Sequence, residues 1–460
     1  MEGRAKVEDS GELARFLADH PETLYVDAIF IDLCGIVRGK RYPRADLEKL
    51  FAKGLQIPYT VYLLDVTGES LDPCGRGFSD GDPDGTAMPI PGTLVPVPWA
   101  PQPCAQVLMT MNDEAGQPSI WDPRNVAALV VERMAETGLR PVIAFELEFY
   151  LLDRERDADG KPQAPISPAT GKRDRSTQVY SIPLLDEHAA FFREVETAAA
   201  VQKVPCTVAT TEYAPGQYEI NLRHVEDPLA AADHCALLRH IVQRVAARHG
   251  LDATFMAKPH LEQTGNGMHV HMCLLDQDGH NVFDDGSAPI NSLGSETLRH
   301  AVGGLAATMP EAMAIFAPNV NAYRRFGPNL FVPVTKSWGA NNRSFAFRIP
   351  AGEGDSRRIE HRIAGADANP YLVLAALLAG VHHGVTNKLD PGPPWSGNAT
   401  DHVDPDIPMK LEPALQRLES AKILADYLPR DYIETYCATK RSEYDKFSRA
   451  ISRREYEWYL

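Results

Sequence analysis

Two hydrophobic periods take turns along the chain, one suited to strands and one to helices. Residues 24–33 form a mainly apolar run closed by Gly35 and Gly39, which predicts a strand and a turn. Helical spacing over 45–53 and a second strand-like run at 60–66 follow. Residues 71–104 are rich in Pro, Gly and Asp and predict an irregular excursion, ended by a strand at 105–111. Asp122-Pro123 then opens a helix to Gly138, with Val126, Leu129, Val130 and Met134 at helical spacing. The first part reads as a small α/β unit, so the expected domains are 1–115 and 116–460.

Farther along, 142–152 alternates as a strand and 153–177 is a long polar loop. Helices are expected at 187–202, 229–249, about 295–308 and 368–385, and strands at 216–222, 253–258, 269–275, 343–349 and 357–363. Asp278-Gly279 marks a hairpin turn, and 430–460 reads as charged helix. Consecutive strands joined by hairpins imply a largely antiparallel sheet with helices packed outside, an α+β fold.

Composition narrows the partners. The 460 residues are 44% hydrophobic and 23% charged, as in a folded globular chain and unlike a disordered or fibrous one. Lys and Arg number 46 against 62 Asp and Glu, a net charge of −16. That balance argues against nucleic-acid binding and favours an uncharged or cationic partner. Seven scattered cysteines form no CxxC pair, so neither a disulfide framework nor structural zinc is expected. A start that mixes both charges, and the lack of any apolar stretch near about 20 residues, predict a cytoplasmic chain without signal peptide or membrane span.

Chemistry gathers on strand faces, because residues two apart share a side. Glu146 and Glu148 face one way, opposite Phe145, Leu147 and Phe149. Gln217, Glu219 and Asn221 share a side, His269 and His271 align, and so do Arg358, Glu360 and Arg362. Taken singly, each is a solvated strand face or a surface hairpin. Together they put several carboxylates, imidazoles and arginines on one sheet, where unpaired charge costs several kcal/mol each. Glu146, Glu148, Glu219 and Glu360, with Glu212 on a loop, are hard oxygen donors, and His269 adds a nitrogen. That set suits two or more Mg²⁺ or Mn²⁺ ions. Metal, arginine and a bound anion together are the equipment of phosphoryl transfer.

At these residues the chain resembles the glutamine synthetase family. The matching motifs are Glu146-Leu147-Glu148, Glu212 with Gly216-Gln217-Tyr218-Glu219, and Lys258-Pro259 followed by Gly265-Asn266-Gly267-Met268-His269-Val270-His271. Asn342-Arg343-Ser344, Arg348-Ile349-Pro350, Arg357-Arg358-Ile359-Glu360 and Ala368-Asn369-Pro370-Tyr371 complete the order. The resemblance implies a small N-terminal β-grasp-like domain before a large catalytic domain. It also implies ATP-dependent ligation of an amine to the γ-carboxylate of glutamate through an acyl phosphate. By motif position, Glu148, Glu212 and Glu219 would hold one metal, and Glu146, His269 and Glu360 a second. Arg343 and Arg348 would neutralise the transferring phosphoryl group, and Arg348, His271 and Arg358 would contact ATP. Gly265, Arg325 and Arg362 would hold glutamate. A dodecamer of two stacked hexameric rings is implied as well.

Departures from the family bear on the amine. Members that use ammonium carry a flap glutamate shortly after the arginine matching Arg325, whereas here the segment runs Arg325-Phe326-Gly327-Pro328-Asn329-Leu330-Phe331. The family's Asp-Gly-Ser-Ser is replaced around Gln56-Ile57-Pro58-Tyr59-Thr60. An alkylamine wants apolar and aromatic walls that ammonium does not, so Phe331 and Tyr59 become candidates for an amine pocket. Tyr323-Arg324-Arg325-Phe326-Gly327-Pro328, Ser337-Trp338-Gly339 and His361-Arg362 resemble the γ-glutamylpolyamine synthetase branch, which takes putrescine, spermidine and related amines. The alternatives are a monoamine or ethanolamine ligase, an ordinary glutamine synthetase, and a non-catalytic structural relative.

Overall fold

The computed structural model describes residues 11–177, 179–287, 292–327 and 330–460. Helix α1 (Glu12–Asp19) precedes a mixed sheet of β1 (Tyr25–Ile31), β2 (Val37–Pro43), β3 (Leu55–Pro58), β4 (Asp84–Pro89), β5 (Val95–Pro96) and β6 (Cys104–Asn112), with α2 (Leu47–Lys53) between β2 and β3. Its order is β2-β1-β6-β4-β3, and β1 runs parallel to β6. Val26, Ala28 and Phe30 of β1 pack with Leu47 and Leu50 of α2 in a core of their own.

After α3 (Pro123–Ala135) comes an eight-stranded sheet made of β7 (Arg140–Asp153), β8 (Cys206–Thr211), β9 (Gln217–Leu222), β10 (Leu251–Thr254), β11 (Met268–Leu275), β12 (Trp338–Ala340), β13 (Phe347–Ile349) and β14 (Ile359–His361). Its order is β12-β13-β14-β11-β7-β9-β8, with β10 pairing β7, and only β12 with β13 is parallel. Helices α4 (Ile182–Glu187), α5 (Ala189–Val201), α6 (Pro228–Arg248), α7 (Glu296–Phe316), α8 (Pro370–Asn387), α9 (Leu411–Glu419), α10 (Arg430–Ser448) and α11 (Arg453–Tyr459) complete the chain. Phe145, Leu147 and Phe149, wholly buried, point from β7 into the main core with α3, α6, α7 and α8. The polar face of the same strand is thereby turned to the opposite side.

Three of these helices start by the same device. Asp122, Asp227 and Asn369 accept the first free N–H groups of α3, α6 and α8, and each is followed by proline, which has no N–H to satisfy. Asn369 also donates to the Asp32 carbonyl at 2.9 Å, and Arg239 of α6 donates to the carbonyls of Gly35, Ala366 and Ala368. The turn after β1 is thus tied to the segment that opens α8. Helices α7 and α8 meet at glycines: a Cβ on Gly304 would stand 1.9 Å from the Gly380 carbonyl oxygen, so no larger residue fits.

Several local expectations change. Residues 60–66 are not a strand, since Tyr59–Tyr62 is a 3₁₀ turn in which the Thr60 hydroxyl donates to Asp82 at 2.6 Å. The excursion at 71–104 contains β4 and β5, which pair with β6. The strand expected at 253–258 lies earlier, at β10, and the helix expected to stop near 308 runs through Pro310 to Phe316. The final helix breaks between Ser448 and Arg453. Strands β2, β8 and β12 and helices α1 and α9 were not anticipated, because short or one-sided segments carry little periodicity. Pro328 and Asn329 of the flap segment lie outside the described residues. Among the described residues, no helix is long and apolar enough to cross a membrane.

The small sheet is also clamped by the C-terminal helix α10. Glu443 accepts the Val66 N–H at 2.9 Å, and Lys446 pairs with Asp65 at 2.8 Å and with Glu69. Burial alone would raise the Asp65 carboxyl, but hydrogen bonds from Lys446, Thr67 and the Glu69 backbone outweigh it and lower its pKa to about 2. A folded pKa below the ordinary value of 3.8 means that this stabilisation is complete above that value and is lost as pH falls toward about 2. Replacing Asp65 by Asn is therefore expected to lower stability by about 1 kcal/mol near neutral pH, and by progressively less below about pH 4. Urea unfolding of both proteins at each pH checks this, and an equal loss at pH 7 and at about pH 2 would reject it.

Candidate active site

Strand register assembles the site. Across β7 and β11, His269 stands opposite Glu146, and across β7 and β9, Glu219 stands opposite Glu148. On the other side of β11, His271 faces Glu360, which in turn faces Arg348 of β13. Antiparallel pairing brings facing side chains within about 5 Å, so five strands' worth of polar side chains meet on one face. Glu212 enters from the turn after β8, its N–H held by the Gln217 carbonyl at 2.8 Å.

His269 lies at the centre of three carboxylates. Its Nδ1 is 3.5 Å from Glu146 and 4.0 Å from Glu360, and its Nε2 is 4.0 Å from Glu148. His271 approaches Glu146 at 2.9 Å through Nε2, while its Nδ1 accepts from Arg358 Nε at 2.9 Å. Candidate ligand atoms cluster within 4.8 Å of one another in three sets on this face: Glu148, Glu212 and Glu219; Glu146, Glu219 and His269; and Glu146, His271 and Glu360. A further set, Asp276, Asp278 and His280, lies on the surface hairpin away from the face.

Two halves of the face differ in how charge is balanced. Glu360 is buried, which would raise its pKa, but Arg362, His271, His269 and Arg348 hold it at about 2, and both arginines pair with it directly. Glu146 is likewise held low, as His271 and His269 outweigh burial. In the other half, burial and then the neighbouring Glu146, Glu148 and Glu212 push Glu219 up to about 9. Burial and Glu148 push Glu212 up to about 8, with Arg343 and Arg362 only partly offsetting this. Like charges about 4 Å apart repel by roughly 4 kcal/mol near a protein surface. A divalent cation among Glu148, Glu212 and Glu219 removes that repulsion, so the hard-oxygen donors present fit Mg²⁺ or Mn²⁺.

Other expected residues fall around this face. Arg362 donates from Nε to the Arg343 carbonyl at 3.1 Å, and Arg343 itself is exposed on the turn after β12. Arg325 is buried; it donates to the Ile363 carbonyl at 3.0 Å, and its Nε has no partner among the described residues. A Cβ on Gly265 would come within 2.7 Å of the Arg325 side chain and 2.6 Å of the Ala257 carbonyl, so only glycine lets them approach. Gly267 donates its N–H to Glu148 at 2.6 Å. Arg358 precedes β14 instead of lying within it, yet still reaches His271. Phe331 is 69% exposed, and Tyr59 is half-buried in the 3₁₀ turn, packed against both cores. Neither joins the hydrogen bonds or ion pairs described for the carboxylate face.

Tyr150 was not singled out by sequence for this scaffold. The Tyr150 hydroxyl donates to the Thr264 carbonyl at 2.7 Å, the Thr264 hydroxyl donates to Gln217, and Gln217 donates to the Gly265 carbonyl at 3.0 Å. Parity was the available signal, since Tyr150 shares the face of Glu146 and Glu148.

Comparison with known proteins agrees with this arrangement. The pattern of the glutamine synthetase catalytic domain matches residues 121–459. A γ-glutamylputrescine synthetase of Escherichia coli K12 is 41% identical over 449 residues, spanning 98% of this chain and 94% of its own. A glutamate–isopropylamine ligase of a Pseudomonas species is 32% identical over 449 residues and 95% of each chain. A solved GmaS–ADP complex superposes with a TM-score of 0.84 at 26% identity, covering 98% of this chain and 99% of that one. With the fold, the carboxylate face and the whole-length likeness in agreement, the chain belongs to the glutamine synthetase family and is an ATP-dependent ligase.

Proposed function

We propose that the enzyme joins the γ-carboxylate of glutamate to a putrescine- or spermidine-type amine, with ATP supplying the activating phosphoryl group. The observation that carries this reading is 41% identity, over nearly the whole of both chains, to a γ-glutamylputrescine synthetase. The absence of any carboxylate between Arg325 and Phe331 supports an amine larger than ammonium. We place the small domain at 1–115 and the catalytic domain at 116–460.

In this reading Glu148, Glu212 and Glu219 hold one Mg²⁺ or Mn²⁺, and Glu146, His269 and Glu360 a second. Bound there, the ions neutralise phosphate oxygens and screen the carboxylate face. Arg325, Arg362 and the Gly265 backbone orient glutamate so that its γ-carboxylate meets the terminal phosphoryl group. Arg343 and Arg348 offset the charge of that group in transit, and His271, Arg348 and Arg358 hold the nucleotide. The carboxylate oxygen takes the terminal phosphoryl group as its bond to ADP breaks, the amine nitrogen then attacks the acyl carbon and gives up a proton to solvent, and phosphate leaves. Phe331 and Tyr59 offer apolar surface to the amine's carbon chain, Tyr59 reaching a neighbouring subunit's site in a dodecamer of two stacked hexamers. The seven free thiols suit a reducing, cytoplasmic compartment.

Phosphate release from ATP with glutamate and Mg²⁺ or Mn²⁺ tests the substrate across ammonium, ethanolamine, isopropylamine, putrescine and spermidine. The diamine and polyamine are expected to give the highest kcat/KM, and ammonium or isopropylamine ranking first would reject the polyamine assignment. Glu219→Gln keeps the fold and is expected to lose on the order of 10²-fold or more in kcat, with weaker Mn²⁺ binding by calorimetry. Near-normal activity in that variant would remove Glu219 from the ligand set. Phe331→Glu is expected to raise KM for the alkylamines more than KM for glutamate, and an unchanged amine ranking would move the pocket elsewhere.

A further inference from the structure

Where α10 meets the turn after β1, a thiol and an amine are held against each other inside the protein. Lys440 Nζ lies 3.1 Å from Cys34 Sγ and 3.1 Å from both oxygens of Glu443. The Cys34 thiol is 3.2 Å from Glu443 and 3.5 Å from the Leu64 carbonyl. The lysine side chain is 3% exposed and the glutamate 9%. Asp32, on the same turn, is the other charge that bears on the thiol. None of these groups belongs to the carboxylate face.

Burial raises the Cys34 pKa to about 12, with Glu443 and Asp32 adding to the shift and Lys440 opposing it. Cys34 is therefore a thiol at rest, unsuited to attack on external electrophiles. What the site provides is a fixed distance between two oxidisable atoms and a carboxylate within reach of the lysine protons. A separation of 3.1 Å is a hydrogen-bond contact, somewhat longer than two single bonds bent at one bridging atom and far longer than one sulfur–nitrogen bond, so a small approach of the two side chains lets a single atom bridge them.

We propose that Cys34 and Lys440 are a modification site, where dioxygen joins them reversibly through one oxygen atom as an S–O–N cross-link. In that step the lysine ammonium gives a proton to Glu443, which passes it to water. The S–H bond and one N–H bond break, and S–O and O–N bonds form. Sulfur and nitrogen each lose two electrons, and those four electrons reduce one dioxygen to the bridging oxygen and one water. Two equivalents of a dithiol reverse the step, restoring thiol, amine and water. The link fastens the turn after β1 to α10 and so locks the small sheet onto the C-terminal helix. Since Asn369 and Arg239 tie the same turn to the segment opening α8, the lock stiffens one support of the catalytic sheet.

The test uses the full-length protein in a Cys74→Ser background, which removes the exposed thiol. After incubation in oxygenated buffer, intact mass and tryptic mapping are expected to show one added oxygen less two hydrogens, with Cys34 and Lys440 in a single linked peptide. Dithiothreitol is expected to erase both, and Lys440→Arg, which keeps the charge, to abolish the link. Thermal unfolding of the oxidised protein is expected at a higher Tm than of the reduced one. An unchanged mass, whole-oxygen gains on Cys34 that persist in Lys440→Arg, or a link lacking the oxygen would each overturn the proposal. Because mapping of the unsubstituted Cys34–Lys440 pair is decisive alone, a poorly folded variant does not spoil the test.

Discussion

Glu148 faces Glu219 across one strand pair, Glu146 faces His269 across the next, and Glu212 closes the group from the end of β8. These carboxylates cannot turn away, because Phe145, Leu147 and Phe149 are committed to the core on the reverse side of the same strand. Moving β7 by one residue to relieve the repulsion would drive the glutamates inside and the phenylalanines out. The fold thus holds like charges together at a cost that cations bound among them would offset. The remainder of the site follows from that constraint, with histidines and arginines on the neighbouring strands balancing Glu146 and Glu360.

Asymmetry in that balance makes chemical sense. Glu360 and Glu146 stay ionised because Arg348, Arg362, His269 and His271 surround them. Glu219 is pushed up by burial and three neighbouring glutamates, and Glu212 by burial and Glu148, which Arg343 and Arg362 only partly offset. A cation bound among Glu148, Glu212 and Glu219 would therefore displace protons as it entered. Arg348 and Arg362, each paired with Glu360, supply positive charge beside the place where phosphoryl charge would develop.

Support for this face comes from distant parts of the chain. Gln217, Thr264 and Tyr150 fasten the Gly265 loop, Arg239 and Asn369 fasten the turn after β1, and Glu443 and Lys446 carry the small sheet on α10. Asp65 and Glu69, acids of the small sheet's edge, are occupied by Lys446 within the same chain. Members of the set of 62 acidic residues accordingly serve in several places: metal-type clusters, helix caps and ion pairs such as these.

Periodicity alone made β7, β9, β11, α3, α6 and α8 legible, since long segments with one apolar face announce both their type and their orientation. The same parity placed Glu146, Glu148, Glu219, His269 and Glu360 on common faces, and motif order tied them to one family. Short and one-sided pieces stayed hidden: β2 is exposed along most of its length, β12 has three residues, and Thr60–Tyr62 turns because its hydroxyl meets Asp82. No spacing could reveal that Arg358 reaches His271, that Arg239 gathers three carbonyls, or that Cys34 touches Lys440 across 406 residues. Sequence by itself determined which side chains share a strand face, because the two-residue repeat is a local property of the backbone. Tertiary structure alone decided which faces meet and which charges are compensated, because register and long-range packing set the distances on which electrostatic energy depends.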